Sequence, residues 1–361
     1  MTNYYLICNT QYTLLNLIAL QSEFINDKVV FVYFLRDRAD ILLLNNLKNK
    51  GIVESIIVID FINKNSYLDK ILLFLFPLKF LKSKYLISGD FSMIENNGHI
   101  VSCNYFYAFL FKRLSSNFSV SLVEEGLSTY TGRAIQYVNR SLILRIFLSL
   151  FDSWFWRNGK KVYLNNENVD NLTGFDIKKI PRFDDEKLLD IIHCFSAENE
   201  RYDGIDRFIF LGTPSWGLID LLEDKKVPLI ELELRIQAIY EALFTKLKDR
   251  IFYKMHPLEC DVKLAEKYSF ERLFVTSWDA WAGINIRDTD VIVSFFSTGA
   301  ISPKYIFNNE PVVIFLYKLL DHKFYGADKC VSNFKDACQR RNVFVPESIE
   351  ELESILTDLK K

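Results

Sequence analysis

Apolar positions along the first 165 residues alternate between two periods. Short runs rich in apolar residues occupy 4–8, 29–34 (VVFVYF), 56–61, 85–88 and 162–164, and 119–124 (SVSLVE) alternates polar with apolar. Their length, their β-branched and aromatic content and the polar turns around them predict buried strands. Between them, apolar residues recur at helical spacing over 13–24, 37–50 and 104–114, predicting an amphipathic first helix and a second that ends at Gly51. Strands that alternate with helices imply right-handed βαβ units and a mostly parallel sheet.

The pattern breaks over 165–179, where Asn and Asp crowd and apolar residues are few. A linker is expected there. The alternation then resumes. Strands are predicted at Phe208–Leu211, Ile251–Lys254, 273–275, 291–295 and 311–316, with helices at Leu229–Leu247, 261–268 and 348–359. Ser348 and Glu351 have the spacing of a capping box. The expectation is an α/β chain with an N-terminal doubly wound domain over 1–165, a linker region over 166–200 and a C-terminal doubly wound domain over 201–361. Ligands of such sheets bind beyond the carboxyl ends of the strands, and two such domains would share a cleft.

Composition changes this picture little. The 361 residues are half hydrophobic, enough for two cores. The net charge of −2, with both signs interspersed, argues against a nucleic-acid partner. The 31 Phe and 18 Tyr are read first as core, since aromatics dominate interiors, although sugar sites also use aromatic faces. None of the six Cys forms a CxxC pair or a zinc-type Cys–His cluster, which suits buried free thiols in a reducing compartment. A secretory leader starts with positive charge, yet the first Lys is Lys28, and Asn9, Thr10, Gln11 and Asn16 interrupt the opening segment. A cytoplasmic location is therefore expected. Two apolar, basic stretches, 71–86 and 141–156, read either as buried helices or as interfacial helices on the inner face of the plasma membrane.

Four short motifs fall where strands end. Glu124, Glu125 and Gly126 follow the 119–124 strand, and a carboxylate there can serve as general base to a hydroxyl. Gly212, Thr213, Pro214, Ser215 and Trp216 follow Phe208–Leu211. Gly212 admits close backbone approach, Thr213 and Ser215 offer hydroxyls, and Trp216 offers a stacking face. Lys254, His256 and Pro257 follow the strand Ile251–Lys254, with His256 a candidate acid or phosphate ligand. Ser297 and Thr298 follow 291–295. If a helix starts there, its amides form an anion site, but Ser302 and Pro303 also read as N-cap and first helical residue. Asp288 and Asp290 are spaced like a DxD metal site but precede a strand, on the edge away from ligands.

An acidic-acidic-Gly triplet, a Lys-x-His-Pro and a Ser-Ser/Thr pair, in this order, resemble the motifs of bacterial sialyltransferases. The opening YYLICNTQYTLL resembles the first strand and turn of the lipooligosaccharide and capsule enzymes of glycosyltransferase family 52, and polysialyltransferases share the motif set. The resemblance implies a GT-B fold, two Rossmann-like domains facing a central cleft, and an inverting, metal-independent transfer of sialic acid from CMP-sialic acid to a cell-surface glycan acceptor, without a cofactor. It places Glu124 or Glu125 as general base and His256 as the acid at the leaving phosphate. Lys254 and Pro257 then complete the nucleotide loop, and Ser297 and Thr298 hold the phosphate. Gly212 and Thr213 fall in the nucleotide turn, and Asp279 falls at the position of an acidic ribose ligand. One departure stands out. Family 52 lipooligosaccharide enzymes carry an Asp directly after the Gly-Ser-Pro of the nucleotide turn, and here Ser215 follows Gly212-Thr213-Pro214. The base is then one of the Glu pair, or the activity differs. A GT-B enzyme using a UDP- or GDP-sugar and a non-catalytic glycan-binding subunit are the alternatives, and a homo-oligomer is compatible with either.

Overall fold

A computed structural model of the chain describes residues 2–35, 37–38, 40–60, 86–89, 94, 97–103, 107–108, 111, 117–130, 161–167, 169, 175–183, 185–195, 207–224, 226–256, 259, 267–268, 271–273, 277–339 and 342–360. The chain divides into two compact units, Met1–Phe195 and Ser196–Lys361.

The first unit is built on an eight-stranded sheet: β1 (Asn3–Cys8), β2 (Lys28–Leu35), β3 (Ile56–Asp60), β4 (Leu86–Ser88), β5 (Gly98–Ser102), β6 (Phe118–Val123), β7 (Lys161–Leu164) and β8 (Asp176–Lys179). Its order is β4-β3-β2-β1-β5-β6-β7-β8, parallel throughout except for the antiparallel edge pair β3–β4. The chain thus winds one way from β1 to β3 and the other way from β5 to β8. The reversal lies between β1 and β5, whose carboxyl ends flank the switch-point crevice of such folds. The last six residues of β2 are buried, the near-continuous apolar strand expected when both faces of a parallel sheet are covered.

The sequence pattern missed β5. Only Ile100 and Val101 are apolar in a run containing Gly98, His99 and Ser102, so the central position comes from pairing with β1 and β6. His99, which showed no motif context, bridges to β6 through Ser119 Oγ at 2.5 Å and Ser121 Oγ at 2.7 Å. Burial holds its ring down to about 4. The stretch 166–200, read as a linker, carries β8 and an amphipathic helix, Asp185–Phe195. Its polar composition reflects an edge strand with exposed residues, not an unstructured connection. Helix α1 (Gln11–Leu20) is not the amphipathic helix predicted over 13–24: Thr13 and Asn16 are buried with the rest of Tyr12–Leu20.

The second unit repeats the plan with a six-stranded, wholly parallel sheet. Its strands are β9 (Phe208–Leu211), β10 (Ile251–Lys254), β11 (Glu271–Arg272), β12 (Val291–Ser294), β13 (Val312–Phe315) and β14 (Val343–Phe344), in the order β11-β10-β9-β12-β13-β14. The switch point lies between β9 and β12. Strand β11 ends before the predicted 273–275, and β14 was not legible in its two-residue apolar signal. The aromatic wealth serves the core here: Phe210 packs edge-on to Tyr240 at 5.1 Å and to Phe295 at 5.8 Å. The C-terminal helix Ile349–Leu359 starts as predicted, with Ser348 Oγ accepting from the Glu351 amide at 3.2 Å. The Glu351 carboxylate accepts from the Glu347 amide rather than from that of Ser348.

Of the predicted helices, 141–156 lies outside the described residues, as does 71–86 except for Leu86, which opens β4, and as do most of 104–114 and 261–268. No helix among the described residues is long and apolar enough to cross a membrane. Five cysteines are described, none in a disulfide: Cys8, Cys103, Cys194 and Cys330 are buried, and Cys338 is partly exposed.

Candidate functional site

In the second unit, residues after β9, β10 and β12 share the carboxyl edge of the sheet around its switch point. Gly212 continues β9, and its amide donates to the Lys254 carbonyl at 2.9 Å. A Cβ on Gly212 would sit 2.4 Å from the Tyr253 hydroxyl and 2.5 Å from Glu259 Oε2, so packing rather than positive φ requires glycine. Thr213 Oγ1 is buried and has no hydrogen-bond partner among the described residues. A donor or acceptor left unmet at a switch point is the kind of group a ligand satisfies. Trp216 lies in the helix Ser215–Leu221, and its side chain is outside the described residues, as is Pro257.

The Lys254 ammonium donates to the Met255 carbonyl at 2.8 Å. Burial lowers its pKa, opposed by the carboxylates of Asp279 and Glu259. The same burial, together with Lys254, holds the His256 imidazole below its ordinary value. Asp279 lies in the first turn of α7 (Trp278–Asn285), which follows six described helices: α1, Asp40–Asn49, the single turn Leu127–Tyr130, Asp185–Phe195, Ser215–Leu221 and Leu229–Leu247. Burial raises its carboxyl to about 6, against the stabilising Ser302 hydroxyl and Lys254 charge. Lys254, His256, Asp279 and Ser302 therefore form one electrostatic neighbourhood.

Helix α8 (Thr298–Phe307) settles the two readings of the fourth motif. It starts at Thr298 with Ser297 as N-cap, whose hydroxyl accepts from the Gly299 amide at 3.2 Å. Pro303 lies inside the helix. Having no N–H, it frees the Gly299 carbonyl, which accepts instead from Trp278 Nε1 at 2.8 Å and Ser302 Oγ at 3.2 Å. The helix dipole and its first amides thus stand at the β12 edge beside Ser297 and Thr298, where negative charge is favoured.

Asp288 and Asp290 have other duties, at the opposite edge. Asp290 takes Arg207 Nε at 3.0 Å and Nη2 at 2.6 Å, and also the Arg207 and Arg287 amides. Asp288 accepts from the Glu310 amide at 2.7 Å.

In the first unit, the Glu pair separates into two environments. Glu124 has no exposure. Its oxygens accept from the hydroxyls of Tyr12 and Tyr130, and from the Asn165 amide at 2.8 Å and Asn165 Nδ2 at 3.2 Å. These donors join α1, the turn Leu127–Tyr130 and the end of β7, and none of them was legible as a motif. Glu125 is partly exposed. Its amide donates to Thr129 Oγ1 at 2.9 Å, and Gly126 turns the chain at φ +109°. A base must reach a substrate hydroxyl, so Glu124 as placed here is the structural partner and Glu125 the accessible carboxylate.

Burial raises the Glu124 carboxyl from its ordinary 4.5 to about 7, against the bonds from Tyr12, Tyr130 and Asn165. Between these values the folded chain holds a proton that the unfolded chain has released. Stability from this group is full below the lower value and is lost as pH rises through the upper one. Urea midpoints measured on both sides of that window should fall with pH more steeply in the wild type than in Glu124→Gln. Identical pH dependence in both proteins would remove Glu124 from this account.

No protein-family model matches the sequence, and no curated protein matches it with significance. Solved structures do match. The GT-B domain of a sialyltransferase from Photobacterium damselae aligns over 96% of this chain and 100% of its own, with TM-score 0.51 and 11% identity. A UDP-glucosyltransferase from Polygonum tinctorium aligns over 99% of this chain and 89% of its own, with TM-score 0.53 and 9% identity. A UDP-N-acetylglucosamine 2-epimerase aligns over 100% and 87%, with TM-score 0.51 and 12% identity. At these identities the likeness speaks for architecture, and it spans both units. The chain is an α/β protein of the GT-B fold, with two Rossmann-like units in succession.

Proposed function

We propose that the protein is a glycosyltransferase that moves sialic acid from CMP-sialic acid to a glycan hydroxyl, inverting the anomeric centre and using no metal. The observation that carries this reading is the meeting of Gly212, Thr213, Lys254, His256, Asp279, Ser297 and Thr298 on one carboxyl edge, with a helix N-terminus at Ser297. In the proposed reaction Glu125 takes the proton of the acceptor hydroxyl as its oxygen bonds to the anomeric carbon. The bond from that carbon to the phosphate oxygen breaks, and protonated His256 gives its proton to the departing phosphate. Lys254, the α8 amides and the Ser297 and Thr298 hydroxyls would hold the phosphate, which as a monoester needs less neutralisation than a diphosphate. Asp279 would accept from the ribose hydroxyls. A cytoplasmic enzyme meeting its acceptor at the inner membrane face fits this reading.

A UDP- or GDP-sugar donor is the second reading, favoured by the fit of the Polygonum tinctorium UDP-glucosyltransferase to the same fold. A thermal-shift panel of CMP, CMP-sialic acid, UDP, GDP and UDP-sugars, each with and without Mg²⁺, separates the two. At 100 times Kd a ligand specific for the folded state adds about 2.7 kcal/mol. Selective, metal-independent stabilisation by the CMP ligands is expected. Stabilisation by UDP or GDP ligands alone would replace the donor.

A further inference from the structure

Beside the motif residues stands a carboxylate with no part in the reaction above. Glu259 follows His256 by three positions and is half-buried. Its Oε1 accepts from the Tyr253 hydroxyl at 2.5 Å, and its Oε2 accepts from the His256 amide at 3.1 Å. Its own amide donates to the His256 carbonyl at 2.9 Å. The last two bonds tie both backbone groups of His256 to one residue: the carboxylate reaches back three positions to an amide as the glutamate of a capping box does, with the His256 carbonyl in place of the cap side chain. The first bond ties that residue to β10. Tyr253 is buried and continues to Tyr240, hydroxyl to hydroxyl, at 3.4 Å. On the other side, the missing side chain of Gly212 leaves the space that Glu259 Oε2 and the Tyr253 hydroxyl occupy.

We infer that Glu259 is the positioning residue for His256, holding the turn after β10 against β10 itself and the Gly212 turn, so that the imidazole is presented at a set place on the nucleotide edge. The inference rests on the reading of His256 as the group that meets the phosphate. It also explains Gly212 differently. The glycine makes room for the carboxylate that orients the histidine, in addition to admitting a ligand.

The test uses the full chain with Glu259→Ala, Glu259→Gln and Tyr253→Phe. Donor turnover is measured with CMP-sialic acid, and His256 is followed by NMR through the exchange of its amide and the resonances of its ring, one of four histidines. Misplacement of a reacting group by about 1 Å costs about 100-fold, so Glu259→Ala should lower kcat on that order while KM for the donor changes little. Glu259→Gln keeps an acceptor for the His256 amide and should recover most of the rate. Tyr253→Phe, which loses the anchor to β10 and the bond to Tyr240 but keeps the Glu259 carboxylate, should fall between. The His256 amide should exchange faster in Glu259→Ala and return toward wild type in Glu259→Gln. If Glu259→Ala leaves kcat, amide exchange and ring resonances as in wild type, the inference fails. It fails also if Gln rescues no better than Ala and the lost rate follows lost folded protein. Should Glu259→Ala not fold, the other two variants carry the same comparison. A wild type inert toward CMP-sialic acid sinks the donor reading alone, because amide exchange still decides the role of Glu259.

Discussion

With His256 as the acid of the proposed transfer, replacing it by Ala should lower the rate by about 10²–10⁴-fold, the contribution of a positioned acid–base group, with little change in melting temperature. The side chain is partly exposed, so its removal opens no core cavity. The pH profile adds a sharper expectation. Burial and the neighbouring Lys254 hold the free imidazole below its ordinary value, so the free enzyme has little of the protonated form that a general acid requires at neutral pH. An anionic donor phosphate beside the ring favours the imidazolium. The profile of kcat/KM reports the free enzyme and that of kcat the complex, so the alkaline limb of kcat should lie at higher pH than that of kcat/KM. Coincident limbs, or a variant that loses stability instead of rate, would make His256 a packing residue.

The second large effect concerns folding. Asp290→Ala should destabilise the second unit by about 3–5 kcal/mol, because it leaves the Arg207 guanidinium buried without its partner. Both side chains are nearly inaccessible, at 7% and 1% exposure, and the pairing is bidentate with further bonds from two backbone amides. Trp281, whose ring lies 5.5 Å from the guanidinium, offers a fluorescence signal for urea unfolding at the site itself. Asp288→Ala removes the acceptor of the Glu310 backbone amide and should cost less, about 1–3 kcal/mol. The pair of variants also tests the metal reading of the DxD spacing. Unchanged stability in Asp290→Ala, joined to loss of a Mg²⁺-dependent activity, would restore that reading.

How far the site was legible varies with the kind of signal. Gly212, Lys254, His256, Ser297 and Thr298 could be found because strands β9, β10 and β12 are fully or alternately buried apolar runs. Their ends are therefore marked, and a ligand edge follows from strand direction. Glu259 was missed, although Pro257 after His256 and a Glu three positions on have the spacing of a helix start. Trp278 could not be found at all, because its indole meets the Gly299 carbonyl, left open by Pro303, only where two helices come together. Ser302, read as an N-cap, instead donates to that carbonyl within its own helix. The Glu124–Glu125 pair shows the same limit, since nothing in adjacent identical residues says which one Tyr12, Tyr130 and Asn165 will surround.

By itself the sequence determined the alternation of buried strands and helices, and hence an α/β chain of two doubly wound halves. It also determined which residues stand at the carboxyl ends of the strands. These features depend on local periodicity and on turn chemistry, which neighbouring residues carry. Tertiary structure decided the rest. It placed the barely apolar β5 at the centre of a sheet, made strand and helix of a polar stretch read as linker, and capped α8 with Ser297 rather than Ser302. It also buried one glutamate while leaving the next within reach. Each of these outcomes depends on partners distant in the chain, whose hydrogen bonds and burial exceed the weak preference of a few residues for one conformation.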